Sequence, residues 1–368
     1  MLYVSGMDMP ASPLPRKGRG AASNASGRFE HEERVDFDDG WNVPGAEPEP
    51  MPLNTILSVD ATRTVIARNN SPDIGFDRSI NPYRGCEHGC IYCFARPSHA
   101  FLGLSPGLDF ETRIFYKPQA AALLTAEMSK KGYACRPIAI GSNTDPYQPA
   151  ERKLGVMRSI LEVLRDFRHP VTIVTKGALI QRDIDILAEM ASLRLACVTV
   201  SVTTLDRALA RVMEPRAATP TRRLETIAAL AKAGIPTGVL LAPMIPALND
   251  AEMEDILAAA KEAGAATAGY TMLRLPLELK GLFKEWLETH FANKASHVLS
   301  LVAQSHGGKI YDSAWGRRMV GYGPYADLLG MRFDRAVRRL GLARRHTEPL
   351  DTSLFCPPAK PSNQLALF

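Results

Sequence analysis

Between about residue 55 and residue 280, apolar and polar positions follow two alternating rhythms. Short apolar, β-branched runs stand at 138–141, 171–175, 197–202, 237–241 and 269–273. Runs of that length without polar alternation predict strands buried on both faces. Between them the apolar residues recur at helical spacing, as Leu154, Met157, Leu161 and Leu164 do. The segment after Glu214 is the clearest helix. Thr219 can cap it, Pro220 suits its first position, Leu224, Ile227, Ala228 and Ala231 make a face, and Gly234 stops it. Asn249 or Asp250 opens the next helix and Gly264 ends it. Strand starts lie roughly 26–40 residues apart, the size of repeated βα units. Such units close into a parallel barrel or a doubly wound sheet, and periodicity alone does not choose between them.

The flanks differ. Residues 1–54 are rich in Pro, Gly, Ser and charge and predict a disordered tail. Residues 281–346 predict a helical, basic C-terminal extension. Leu282, Phe283, Trp286, Leu287 and Phe291 suggest an amphipathic helix there, glycines cluster at 307–323, and a basic helix follows from about Tyr325. Residues 347–368 read as a flexible tail, which leaves 55–280 for the barrel. The composition, 46% apolar and 23% charged, is that of an ordinary globular protein. No apolar run reaches the roughly 18 residues a membrane span needs. The N-terminus lacks an apolar signal-like core, so a cytoplasmic protein is expected. Net charge is +5. Residues 331–346 hold six Arg and one Asp, and without them 38 basic and 38 acidic residues remain. The excess charge therefore sits in one segment, either a candidate nucleic-acid footprint or a solvated helix face.

Cysteine usage changes the picture most. Three of the six cysteines, Cys86, Cys90 and Cys93, crowd into eight residues as C-x3-C-x2-C, while Cys135, Cys197 and Cys356 are scattered. Soft thiolates so closely spaced suit an iron–sulfur cubane held by one tight loop, with Gly85 and Gly89 allowing the wrap. Three thiolates for four irons leave one iron open, the logic of a catalytic site. A zinc site built with His88 or His99 is the alternative, although structural zinc sites usually show a second ligand pair. Arg84 and Arg96 could offset the cluster's charge or simply face solvent. Cys135 and Cys197 read as small buried residues.

The loop resembles that of the radical S-adenosylmethionine (SAM) superfamily, C-x3-C-x-aromatic-C, with Tyr92 in the aromatic position. The resemblance implies an α/β fold, a partial (β/α)6 TIM-type barrel. It implies a [4Fe–4S] cluster on Cys86, Cys90 and Cys93, with SAM on the open iron. It also implies an external electron donor such as flavodoxin or ferredoxin. Over about residues 81–275 the motif order is similar to that of the spore-photoproduct-lyase branch, which repairs thymine photodimers. The motifs are Val174-Thr175-Lys176, Ser201, Glu214-Pro215 and the 233–243 stretch. By that similarity Tyr92 lies against the SAM adenine, and Lys176 and Ser201 contact SAM. Ser142, Asn143 and Asp145, where many relatives carry Gly-Gly-Glu, are candidates for the remaining polar contacts, or else shape a turn and cap the next helix. The spore lyases carry a hydrogen-donating cysteine at this strand end, where the present chain has Ser142. Thr203, Thr204, Asp206, Arg216, Arg222, Arg223 and Arg274 are further candidates for the substrate side, each equally explained by barrel salt bridges.

Three functions follow from this reading. They are a radical SAM enzyme acting on a nucleic-acid base, one acting on a protein or small molecule, and a non-catalytic iron–sulfur or zinc module.

Overall fold

The protein is described from a computed structural model, which places residues 16–30, 53–344 and 349–358. Six strands form its parallel sheet: β1 (Arg78–Ile80), β2 (Ile138–Ile140), β3 (Val171–Thr175), β4 (Ala196–Ser201), β5 (Thr237–Met244) and β6 (Thr267–Met272). They pair in chain order. Strand Ile66–Arg68 adds antiparallel to the outer edge of β1. β1 and β6 do not pair with each other, so the barrel is partial and open on one side. Five of the six parallel strands fall on the five apolar runs. β1, three residues long, is not visible as a run.

A helix follows each of β1 to β5: Ala120–Met128, Val156–Asp166, Ile184–Ser192, Pro220–Lys232 and Met253–Glu262. β2 and β4 are buried almost throughout, while β3 alternates buried and half-buried positions; Val171, Ile173, Val198, Val200, Val239 and Leu241 lie in one continuous core. On the helix Val156–Asp166 the residues Met157, Ile160, Leu161 and Leu164 are fully buried. Each contributes roughly 2 kcal/mol of apolar burial. Leu154 lies before this helix, cut off by Gly155 at φ 63°.

The helix Pro220–Lys232 begins as expected, with the Thr219 side chain accepting from Arg222 N and Pro220 in the first turn. Its buried face, however, is Arg223, Thr226, Ile227 and Leu230, with Ala228 exposed. The face is rotated because Arg223 reaches a buried carboxylate described below.

Both tails depart from expectation where they are described. Within 1–54, residues 16–30 pack against the cysteine loop. Within 347–368, residues 349–358 dock on the outside of the barrel: Cys356 N donates to Phe167 O (3.1 Å), and Phe355 packs on Phe167 and His169. The remaining residues of both tails lie outside the described ones.

The extension contains the helix Leu279–Gln304, which buries Leu282, Phe283, Trp286 and Leu287, and the helix Pro324–Arg339. Between them, residues 312–320 bridge the open side of the barrel. Met319 O accepts from Met272 N at the end of β6 (2.8 Å). Asp73, beyond the Ile66–Arg68 strand, takes Gly316 N (2.6 Å) and the Arg318 guanidinium.

The basic segment does not reach the end of the barrel where the strands point. Tyr325 bonds Asp250 after β5, but Ala343 pairs with Ala266 and Ala268 at the start of β6. The helix therefore runs down the flank, away from the strand C-termini. Arg332 is paired with Glu254 and Arg344 with Asp334, while Arg335, Arg338 and Arg339 are exposed on that flank. No helix among the described residues is long and apolar enough to cross a membrane.

Candidate functional site

In a parallel barrel the strand C-termini and the loops after them make the site. Here the loop after β1 carries all three clustered cysteines. Its turns are closed by backbone bonds, Gly89 N to Cys86 O (3.3 Å) and Cys93 N to Cys90 O (3.2 Å). Gly85 and Gly89 take φ of 77° and 67°, a region other residues avoid.

Partners then fix the loop from outside. Arg96 is fully buried rather than solvent-facing, contrary to one reading of the sequence. It donates to Cys90 O (2.9 Å), Gly89 O (3.0 Å), Pro106 O (3.1 Å) and Gly107 O (3.0 Å), and pairs with the equally buried Glu111. Glu111 also accepts the amides of Gly20 (3.0 Å) and Ala21 (2.9 Å). A Cβ on Gly20 would lie 1.9 Å from Gly89 O, so the N-terminal segment touches the cysteine loop backbone to backbone. Gln148 clamps the other side, accepting from Glu87 N (2.9 Å) and donating to Gly85 O (3.2 Å). Arg216, a candidate anion binder from sequence, is instead bonded to Glu87 (3.0 Å) and belongs to this scaffold. Arg84 sits apart, half-exposed and paired with Asp60 (2.7 Å).

His88 and His99 are both buried. His99 is buried, shares a hydrogen bond with Arg113 O (3.0 Å), and is held neutral by burial, its pKa lowered to about 4. His88 faces Asp145 across 3.4 Å.

The three thiols are free of disulfides. Burial is the largest influence on each and raises its pKa; Lys176 and Arg223 pull Cys90 the other way, and Arg96 and Lys176 do so for Cys93. Among the described residues, no three His, Cys, Asp or Glu side chains converge on a single ion, as a mononuclear zinc centre requires. Three free thiols on one tight loop are the soft donors an iron–sulfur cluster takes, so the chemistry of the donor set fits a cluster.

Of the sequence-predicted cofactor contacts, the fold brings Tyr92, Lys176, Ser201, Ser142, Asn143 and Asp145 to the strand C-termini, with unequal freedom. Tyr92 is buried, its hydroxyl bonded to Glu214 and near Thr203 Oγ1 (3.3 Å). Lys176 Nζ lies 5.6 Å from the Tyr92 ring centroid and has no ion pair among the described residues. Ser201, at the end of β4, donates to Ala242 O (3.3 Å). Ser142 and Asn143 are half-buried and organised by Asn81, which donates to Ser142 Oγ (3.2 Å) and accepts from Asn143 N (2.9 Å). Asp145 is already occupied by protein: it accepts from Thr175 Oγ1 (2.6 Å), Lys176 N (2.7 Å) and Tyr147 N (2.9 Å). Burial alone would raise its pKa, but His88, Lys176 N and Thr175 outweigh that and hold it at about 2. Asp145 therefore positions Lys176 rather than standing free for a ligand.

The remaining candidates divide in the same way. Glu214 collects Tyr92, Thr203 Oγ1 (2.7 Å) and the buried Arg223. Thr204 bonds Glu252 (2.6 Å), Asp206 caps the helix Arg207–Met213, and Arg222 pairs with Glu225. Arg274 has no carboxylate bonded to it among the described residues. Sequence reasoning missed Glu111, Gln148, Asn81 and the 16–30 segment; none belongs to a spacing pattern.

The family profile described as the radical SAM superfamily matches residues 80–260. An uncharacterized protein of Mycobacterium tuberculosis is 37% identical over 220 residues, 59% of this chain and 65% of that relative. One of Methanocaldococcus jannaschii is 26% identical over 212 residues, 58% of this chain and 75% of that relative. Among solved structures, spore photoproduct lyase complexed with dinucleoside spore photoproduct has a TM-score of 0.56 at 15% identity. The same lyase with bound AdoMet and that dinucleoside has 0.56 at 14%. Each covers 78% of this chain and 80% of the lyase chain, and the likeness is one of fold. The matched profile takes in the three-thiol loop and runs from the end of β1 through β5, so residues 80–260 form a radical SAM domain.

Proposed function

We propose that Cys86, Cys90 and Cys93 hold a [4Fe–4S] cluster and that the chain cleaves SAM reductively at the barrel mouth. Bound there, cluster and SAM together supply a 5′-deoxyadenosyl radical that abstracts hydrogen from a substrate. The observation that carries this reading is three free thiols on one loop, with Lys176 beside Tyr92 and in no ion pair among the described residues.

The chain's residues have distinct tasks in this reading. Lys176 offers its ammonium to the SAM carboxylate, a point charge placed by the Asp145 bond to its own amide. Tyr92, fixed through Glu214, lies along the adenine. Ser142, Asn143 and Ser201 offer polar contacts to the remainder of SAM. Arg96, Glu111 and Gln148 keep the loop's shape, and their burial keeps water from its outer side. The electron comes from a partner such as flavodoxin or ferredoxin.

For the substrate we favour a nucleic-acid base. The lyase whose fold this chain shares has been solved with a dinucleoside photoproduct. One observation favours a different outcome from that lyase's. Outside the cluster loop, no described cysteine stands at a strand C-terminus. Cys135 precedes β2 and Cys197 lies near the start of β4, and burial pushes each up to about 11. Ser142 cannot replace a thiol as hydrogen donor, because its O–H bond is too strong. A protein or small-molecule substrate is the second reading.

The test is anaerobic reconstitution of the full chain. About four irons per chain and release of 5′-deoxyadenosine on adding dithionite and SAM are expected. A colourless, zinc-loaded protein that releases none would overturn the proposal.

A further inference from the structure

Arginines close to the cysteine loop fall into two groups. Arg96 and Arg223 are buried and saturated, each with a carboxylate and backbone carbonyls. Arg19 donates to Glu111 O (2.9 Å) and Leu53 O. Arg274, just past the end of β6, has none of this. Its one hydrogen bond among the described residues goes to a thioether, Met319 Sδ, at 3.2 Å. Its Nε is buried with no partner. Asp73, the carboxylate its charge reaches, is already held by Gly316 N and Arg318.

The Arg274 guanidinium stacks over Phe94, 4.7 Å from the ring centroid. Phe94 directly follows Cys93 and is 43% exposed, although an aromatic of that size usually finds cover in a core. An arginine with free N–H groups stacked on a half-open aromatic ring can grip an oxyanion while the ring takes a planar group. Lys176 stands on the Tyr92 side of the loop, so the mouth carries two cations with no ion pair among the described residues.

The geometry points to Phe94 and Arg274 as a nucleotide subsite, the ring stacking a base and the guanidinium holding a backbone phosphate of a single strand. The inference rests on the radical SAM reading, and it assigns recognition to the mouth rather than to the arginines of the flank.

The probe is a dye-labelled oligothymidylate about twelve nucleotides long, titrated into the anaerobically reconstituted chain across a salt series, with SAM affinity measured alongside. Arg274→Gln should weaken binding about tenfold or more and reduce the slope of log K against log salt by about 0.7, one phosphate's worth. Arg274→Lys keeps the charge without the planar fork, so affinity should fall while the slope holds. Phe94→Leu should cost about tenfold with the slope unchanged. SAM affinity should stay constant in all three, and the triple Arg335→Gln/Arg338→Gln/Arg339→Gln variant should bind the strand like the unaltered chain.

Three results overturn the inference: no binding of the oligonucleotide by the unaltered chain, loss of binding only in the flank triple, or an Arg274→Gln variant that loses SAM instead of the strand. The parent reading fails separately, in the unaltered chain's inability to release 5′-deoxyadenosine.

Discussion

The two sides of the cysteine loop are built in opposite ways. On the outer side Arg96, Glu111 and Gln148 are all answered: Arg96 by Glu111 and four carbonyls, Glu111 by Arg96 and two amides, Gln148 by the loop backbone. On the mouth side Lys176 and Arg274 form no ion pair among the described residues, and Phe94 is left half-open. Buried charge is stable only when paired and bonded, so the saturated side reads as scaffold. Cations without partners beside a thiolate loop do little for folding and suit anionic ligands arriving later.

The comparison breaks most severely if the loop loses a ligand. Cys90→Ala should abolish both the cluster absorbance and all SAM cleavage, read by iron content and by 5′-deoxyadenosine release. A brown, active variant would show that another group holds the iron.

Next in size is an attack on the saturated side. Glu111→Ala leaves Arg96 buried and unpaired and two amides unanswered, which should cost about 3–5 kcal/mol in urea unfolding. A loss below about 1 kcal/mol would mean the outer side is not the scaffold described here.

The barrel's flank gives a pH-dependent version of the same test. His169 is fully buried, bonded to Tyr133 Oη (2.9 Å) and Pro170 O (3.0 Å), and burial lowers its pKa to about 4. Its unfolded pKa is about 6.5, so the unfolded chain binds more protons between those values. Stability should therefore be complete above about pH 6.5 and fall as pH drops toward 4. The loss attributable to His169 by pH 5 should be up to about 2 kcal/mol. His169→Gln should flatten that slope; an unchanged slope would assign the acid sensitivity elsewhere.

The smallest expected effect comes from the mouth. Lys176→Ala should weaken SAM binding about tenfold while iron content and the urea midpoint stay put. If the midpoint fell as for Glu111→Ala, Lys176 would belong with the scaffold and the comparison would dissolve.

What could be read from the sequence follows the same division. Strands buried on both faces show as apolar runs, so β2 to β6 were legible, whereas the three residues of β1 make no run. The cysteine spacing is set by the geometry of the group it holds and was plain. The helix Pro220–Lys232 had its cap and stop placed correctly but its face turned. Arg223 and Thr226 are polar and stood outside the expected apolar face, yet both are buried, Arg223 on Glu214. Glu111 and the 16–30 segment left no trace because their bond is between a carboxylate and bare amides of Gly20 and Ala21. No side-chain pattern encodes an amide donor, and the segment's composition is that of a tail. The unpaired Lys176 and Arg274 were visible as candidates, but only the structure separates them from Arg216 and Arg223.

The reach of Gly20 and Ala21 to Glu111 has a consequence for what counts as a unit. The stretch matched by the family profile, 80–260, contains Glu111 but not the amides that complete it, and not the Leu279–Gln304 helix behind the loop. A gene fragment trimmed to those boundaries would leave Glu111 without those two amides and the cysteine loop without the packing of that helix.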